Sequence, residues 1–174
     1  LSSLYYQGKS VENALNAGMQ KTDFVIKLRT DEFYSDLSPI VNKLLANPNK
    51  IVTNNVFLRD QKEFPYSISD HVIGMSYENM EKTFRGLCFF MDTYRNLVST
   101  TLFPKGSGQY NNKSTYINSE PVIAKMFLQS AGVVTPLDND KASVIMQDYT
   151  EYVDVLEMGE YFITANHLNQ YWSN

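Results

Sequence analysis

An α/β fold is predicted by three features of the chain. Segments with helical apolar spacing alternate with short apolar runs in the order helix, strand, helix, strand, the rhythm of a sheet with crossovers. Apolar residues make up 43% of the 174 residues, too many for a disordered chain and enough for one sizeable core. No internal repeat or low-complexity tract divides the sequence, so residues 1–174 read as a single α/β domain.

The elements follow in order. Val11, Ala14, Leu15, Gly18 and Met19 lie on one face of a helix, with Ser10 as its N-cap. "FVIKL" (24–28) reads as a buried strand apart from Lys27. "SPIVNKLLANPN" (38–49) predicts a second helix, capped by Ser38, with Pro39 at N1 and Asn47-Pro48 ending it. A second strand, "IVTNNVF" (51–57), leads into a polar loop and then a short strand-like piece from Asp70. Ser76 caps a third helix whose apolar face is Tyr77, Met80, Phe84, Leu87, Cys88 and Met91. Residues 99–118, rich in Gly, Ser, Asn and Thr, predict a long surface loop, either a lid containing Lys105, Gly106 and Gly108 or an idle connection. Ser119 opens a fourth helix with Pro121 in its first turn and Gly132 near its end. The remainder reads as short strands with a helical or irregular tail.

Composition removes several function classes. Net charge is −4, without a basic stripe, which argues against a nucleic-acid partner. One cysteine, Cys88, excludes an internal disulfide and a multi-cysteine zinc site, and favours a reducing compartment. There is no apolar run of about 18 residues. Tyr and Phe, at 12 and 10 residues, supply core rings first and a sugar-stacking surface second.

Chemistry concentrates in three stretches. The strand at 24–28 ends abruptly in Arg29, Thr30, Asp31 and Glu32. In open α/β sheets ligands sit beyond the carboxyl ends of strands. Oxygen ligands there suit Mg²⁺ or Mn²⁺ holding phosphate oxygens, so Asp31 and Glu32 are candidate metal ligands. Arg29 pairs with Asp31 or contacts a diphosphate directly, and Lys27 and His71 are further cofactor-side candidates. The plain alternative is a solvated turn. In "PYSISDHVIGMSYENM" (65–80), Asp70 is a general base, a hydroxyl-binding acceptor or a backbone cap, and His71 a ligand or a satisfied buried ring. In "NSEPVIAKMFL" (118–128), Glu120 either complements the helix dipole or binds the acceptor as a base.

Together, "GMQKTDFVIKLRTDEFYSDL", "PYSISDHVIGMSYENMEKTF" and "SEPVIAKMFLQSAG" resemble the WavE-type lipopolysaccharide-synthesis family and related bacterial and large-virus glycosyltransferases, over roughly residues 10–132. The resemblance implies a GT-A-like mixed sheet flanked by helices. It makes Asp31 the acid of a DXD-like motif, with Arg29 standing where that motif has its first Asp, and puts Asp70 near the acceptor. Such a domain carries more chain before this motif, so the resemblance favours an N-terminal nucleotide-binding half missing from this chain over a reduced fold. The implied activity is sugar transfer from a nucleotide-diphosphate donor to a glycan or glycolipid hydroxyl, with Mn²⁺ or Mg²⁺ as cofactor. It implies a cytoplasmic location, with attachment to a membrane surface left open. Two other classes stand beside it. One is a glycan-binding module using Tyr149, Tyr152, Tyr161, Tyr171 and Trp172. The other is a metal-dependent phosphohydrolase using the same carboxylates.

Overall fold

The computed structural model describes residues 2–17, 23–56, 58–61, 64–97 and 119–162. The chain folds as an α/β protein around a mixed four-stranded sheet. Its strands are β1 (Phe24–Leu28), β3 (Ile51–Asn54), β4 (Val72–Ser76) and β5 (Thr150–Val153), in the order β1-β4-β3-β5. β4 is antiparallel to both β1 and β3, whereas β3 and β5 are parallel. A separate antiparallel pair joins β2 (Glu32–Tyr34) to β6 (Glu160–Phe162).

Strand alternation sends side chains to two cores. Val25, Ile51, Ile73 and Met75 enter the first, with α1 (Ser2–Asn16), α3 (Tyr77–Leu97), α4 (Ser119–Ser130) and α5 (Asn139–Tyr149). Val52 and Val72 enter the second, with Tyr34, Met158 and the inner face of α2 (Ser38–Ala46). α2 approaches the sheet closely. A Cβ placed on Gly74 would lie 2.9 Å from Leu44 Cδ1 and 3.3 Å from Ile40 Cγ2, so glycine sets that separation.

α1 begins well before Ser10, which is exposed and mid-helical rather than an N-cap. The physical reason is a stripe that starts upstream: Leu4, Gly8, Val11 and Leu15 are buried at spacings of four, three and four, against α3. Gly18 and Met19 lie outside the described residues. β1 keeps only Val25 fully buried, because it is an edge strand and not an interior one. Ser38 is the first helical residue of α2, not its cap; its backbone N–H donates to Asp36 Oδ1 at 2.8 Å. The Ser38 hydroxyl, with that backbone bond, holds the Asp36 carboxyl below the usual range.

Ser76 does cap α3, accepting from the Asn79 N–H at 3.3 Å. The expected apolar face is present: Met80, Phe84, Leu87, Cys88 and Met91 are buried. α4 closes with the Val133 N–H on the Leu128 carbonyl at 2.8 Å. The C-terminal stretch, expected as short strands with a helical or irregular tail, opens instead on α5, capped by Asp138 on the Lys141 N–H at 2.9 Å. A 3₁₀ turn, Val155–Met158, ends at Gly159 with φ +56°, where the Ser35 hydroxyl occupies the room a side chain needs. The expected loop at 99–118 lies outside the described residues. No helix among the described residues is long and apolar enough to cross a membrane.

Candidate functional site

Register fixes where the candidate residues meet. Leu28, the last residue of β1, is the partner of Val72, the first of β4. Asn54 and Val153, ending β3 and β5, pair at the same edge. The carboxyl ends of three strands therefore share one edge of the sheet, and the turn at 29–31 and the approach to β4 at 69–71 project from it.

Six of the seven candidates lie there. The chain leaves β1, turns, and re-enters extended structure at Glu32. Along β2 the alternation buries Glu32 and Tyr34 and exposes Phe33. Glu32 accepts from the Tyr34 hydroxyl on Oε2, and its Oε1 meets His71 Nδ1. Arg29 Nε lies 3.3 Å from the same Oε1. On the other side of His71, Nε2 stands 4.0 Å from Asp70 Oδ1. Asp70 Oδ2 accepts from Gln7 Nε2 of α1 at 2.8 Å, and the Asp70 carbonyl accepts from Lys27 Nζ. The Ser69 hydroxyl accepts from the His71 N–H at 3.3 Å, and the Ser69 carbonyl from the Thr53 hydroxyl at 2.8 Å, which fixes the segment against β3.

The cluster is graded in depth. Arg29 and Asp31 form its outer part, with side chains 31% and 35% exposed, and their fork is bidentate: Nε to Oδ1 at 3.0 Å and Nη2 to Oδ2 at 2.8 Å. The bond to Asp31 raises the Arg29 pKa above its ordinary value. Glu32, Asp70 and His71 are buried. At Lys27, burial draws the ammonium pKa down more strongly than the neighbouring Asp70 charge raises it. At Asp70, burial pushes the carboxyl up, but the Lys27 charge, the Gln7 bond, His71 and Arg29 together outweigh it, and the net direction is down.

A carboxyl held below its ordinary value of 3.8 stabilises the fold above that pH and loses its contribution once protonated. Asp70→Asn is therefore expected to be less stable than the native chain at about pH 7, with the gap closing as the pH falls below the ordinary carboxylate range. Urea melts across that range check this; a gap independent of pH contradicts it.

Divalent-cation binding fits this donor set poorly. Both oxygens of Asp31 are engaged by Arg29, and those of Glu32 by Tyr34, His71 and Arg29. Among the described residues no three His, Cys, Asp or Glu side chains are grouped to hold a metal. Arg29 takes the pairing alternative that its sequence position left open. Glu120 is apart: it stands in the first turn of α4, which packs on α3, and joins none of the bonds of the cluster.

Two partners were not foreseen. Tyr34 is two residues beyond Glu32 on the same strand face, a spacing that identifies it. Gln7 precedes the expected helix start and carried no such signal. Of the tail aromatics, Tyr149 packs on the first core and Tyr152 accepts from Gln61 at 3.3 Å, while Tyr171 and Trp172 lie outside the described residues. A cavity of about 790 Å³, lined by Asp23, Phe24, Ser76, Tyr77 and Glu81 among others, opens at the opposite edge, where Phe24 pairs with Ser76. The cation in its lining, Lys82, is tied to Glu78 at 2.6 Å. Comparison with known proteins returns no matching family model, curated protein or solved structure.

Proposed function

We propose that the chain is a GT-A-like glycosyltransferase that moves a sugar from a nucleoside-diphosphate donor to a glycan hydroxyl. One observation supports this reading above the others. A half-exposed guanidinium, Arg29, adjoins a buried carboxylate–imidazole pair at the edge formed by the carboxyl ends of three strands. The outer part suits a leaving diphosphate. Arg29 uses two of its five N–H donors on Asp31, and the rest of its fork is available for phosphate oxygens without routing the charge through a cation. The buried part suits proton removal from an acceptor hydroxyl. Developing charge on the departing diphosphate is stabilised by a donor already in position.

The test is nucleoside diphosphate release from uridine- and guanosine-diphosphate sugars, with and without glycan acceptors. Acceptor-dependent release is expected, and Arg29→Met is expected to lower kcat/KM by about 10²-fold, the order found for loss of one oriented donor. Absence of such release with every donor overturns the reading. Free phosphate release would point instead to a phosphohydrolase, and glycan binding without nucleotide to a binding module.

A further inference from the structure

We propose that residues 64–71 form a strap, latched by Tyr66, that opens as a unit while the sheet stays folded, and that opening carries Asp70 and His71 away from Glu32, Lys27 and Gln7. The inference concerns motion of the chain and holds whatever reaction the cluster performs.

The latch is a strained turn. The Ser67 N–H donates to the Phe64 carbonyl at 3.2 Å, closing a four-residue turn with Pro65 second and Tyr66 third. Tyr66 has φ +67°, the one positive value outside glycine among the described residues. Proline at the second position and a positive φ at the third make a type II turn, whose third position ordinarily takes glycine or asparagine. A tyrosine there is held in an unfavourable region of backbone space. Its own side chain supplies the restraint. The ring is buried in the first core, and Lys125 Nζ of α4 stands 4.7 Å from its centroid. The hydroxyl donates to the Pro136 carbonyl at 2.6 Å. The turn therefore depends on contacts with α4 and the α4–α5 connection, and its backbone preference opposes them.

The rest of the strap is attached by separate side-chain bonds to several elements. Ser67 Oγ accepts from the Arg59 N–H at 3.2 Å, and the Ser67 carbonyl from Gln61 Nε2. The Ser69 carbonyl accepts from Thr53, Asp70 accepts from Gln7 and Lys27, and His71 meets Glu32. The β4 ladder begins only at Val72, so the strap can leave without breaking a strand pair. Opening uncovers Tyr66 and Ile68, both core residues, which makes the open form a minor state. In the closed form Glu32, Asp70 and His71 are each less than a tenth exposed; in the open form they meet solvent.

Native-state hydrogen exchange tests this. The Ser67 and His71 N–H groups report on the strap, those of Ile73 and Met75 on the sheet. In the native chain the strap pair is expected to exchange faster, with a shallower dependence on urea. Ile51→Val trims the first core beside β4. It is expected to speed the sheet pair by about 3- to 10-fold and to leave the strap pair unchanged, because Ile51 stays packed when only the strap opens. Tyr66→Phe keeps the ring and removes the bond to Pro136, and is expected to speed the strap pair by about 10-fold. Equal acceleration of all four amides in Ile51→Val would mean that the strap has no opening of its own, and overturns the proposal. Strap amides that keep their native rates in Tyr66→Phe overturn the latch, since Tyr66 then stays seated in the open form.

Discussion

Glu32→Leu is expected to lower stability by about 2–6 kcal/mol, since each of two buried donors left without its acceptor costs about 1–3 kcal/mol. The carboxylate is fully buried and meets three groups at once: Tyr34, His71 and Arg29. Leucine fills similar space but leaves the Tyr34 hydroxyl and His71 Nδ1 without their acceptor in a buried setting. Arg29 keeps Asp31 and suffers least. Glu32→Gln sets an amide N–H against a donor on one side, and its expected cost is smaller, about 1–3 kcal/mol. Urea midpoints at constant slope measure both. A loss under about 1 kcal/mol for leucine would mean that the three contacts contribute no more than an ordinary surface ion pair.

Gly74→Val is expected to cost roughly 2–3 kcal/mol, near the upper end for overpacking a core. The added Cβ alone would lie 2.9 Å from Leu44 Cδ1 and 3.3 Å from Ile40 Cγ2, and both side chains are buried. Gly74→Ala should cost less, and combining it with Leu44→Ala should be less damaging than the two separate losses added, because the clash disappears with its partner. A coupling of at least about 0.5 kcal/mol in that cycle is the expected sign of contact. Strict additivity would show that α2 shifts away instead.

Much of the fold was legible before the structure. α3 announced itself through the Ser76 cap and an unbroken apolar stripe, both of which recur in the structure. α5 was missed because Val144 and Ile145 read as a β run; its helical pattern rests on Ala142, Ser143 and Met146, of which only Met146 is strongly apolar. Strand order was not legible. β4 inserts between β1 and β3 through contacts between distant segments, and pairing of that kind leaves no local mark in sequence. Among the site candidates, Asp70, His71, Glu32 and Arg29 were readable as polar residues flanking apolar strands, and the structure brings them together. Their mutual roles were not readable, since whether Glu32 faces a cation or an imidazole depends on a partner thirty-nine positions away.

That separation carries a kinetic consequence. The contacts of the cluster span 39 residues from Glu32 to His71, 43 from Lys27 to Asp70 and 63 from Gln7 to Asp70. Each closes a long loop and is unfavourable until the central sheet supplies its pairing energy. The imidazole environment should consequently mature only after β1 and β4 have zipped together, so a signal from that ring doubles as a timer for the last stage of assembly.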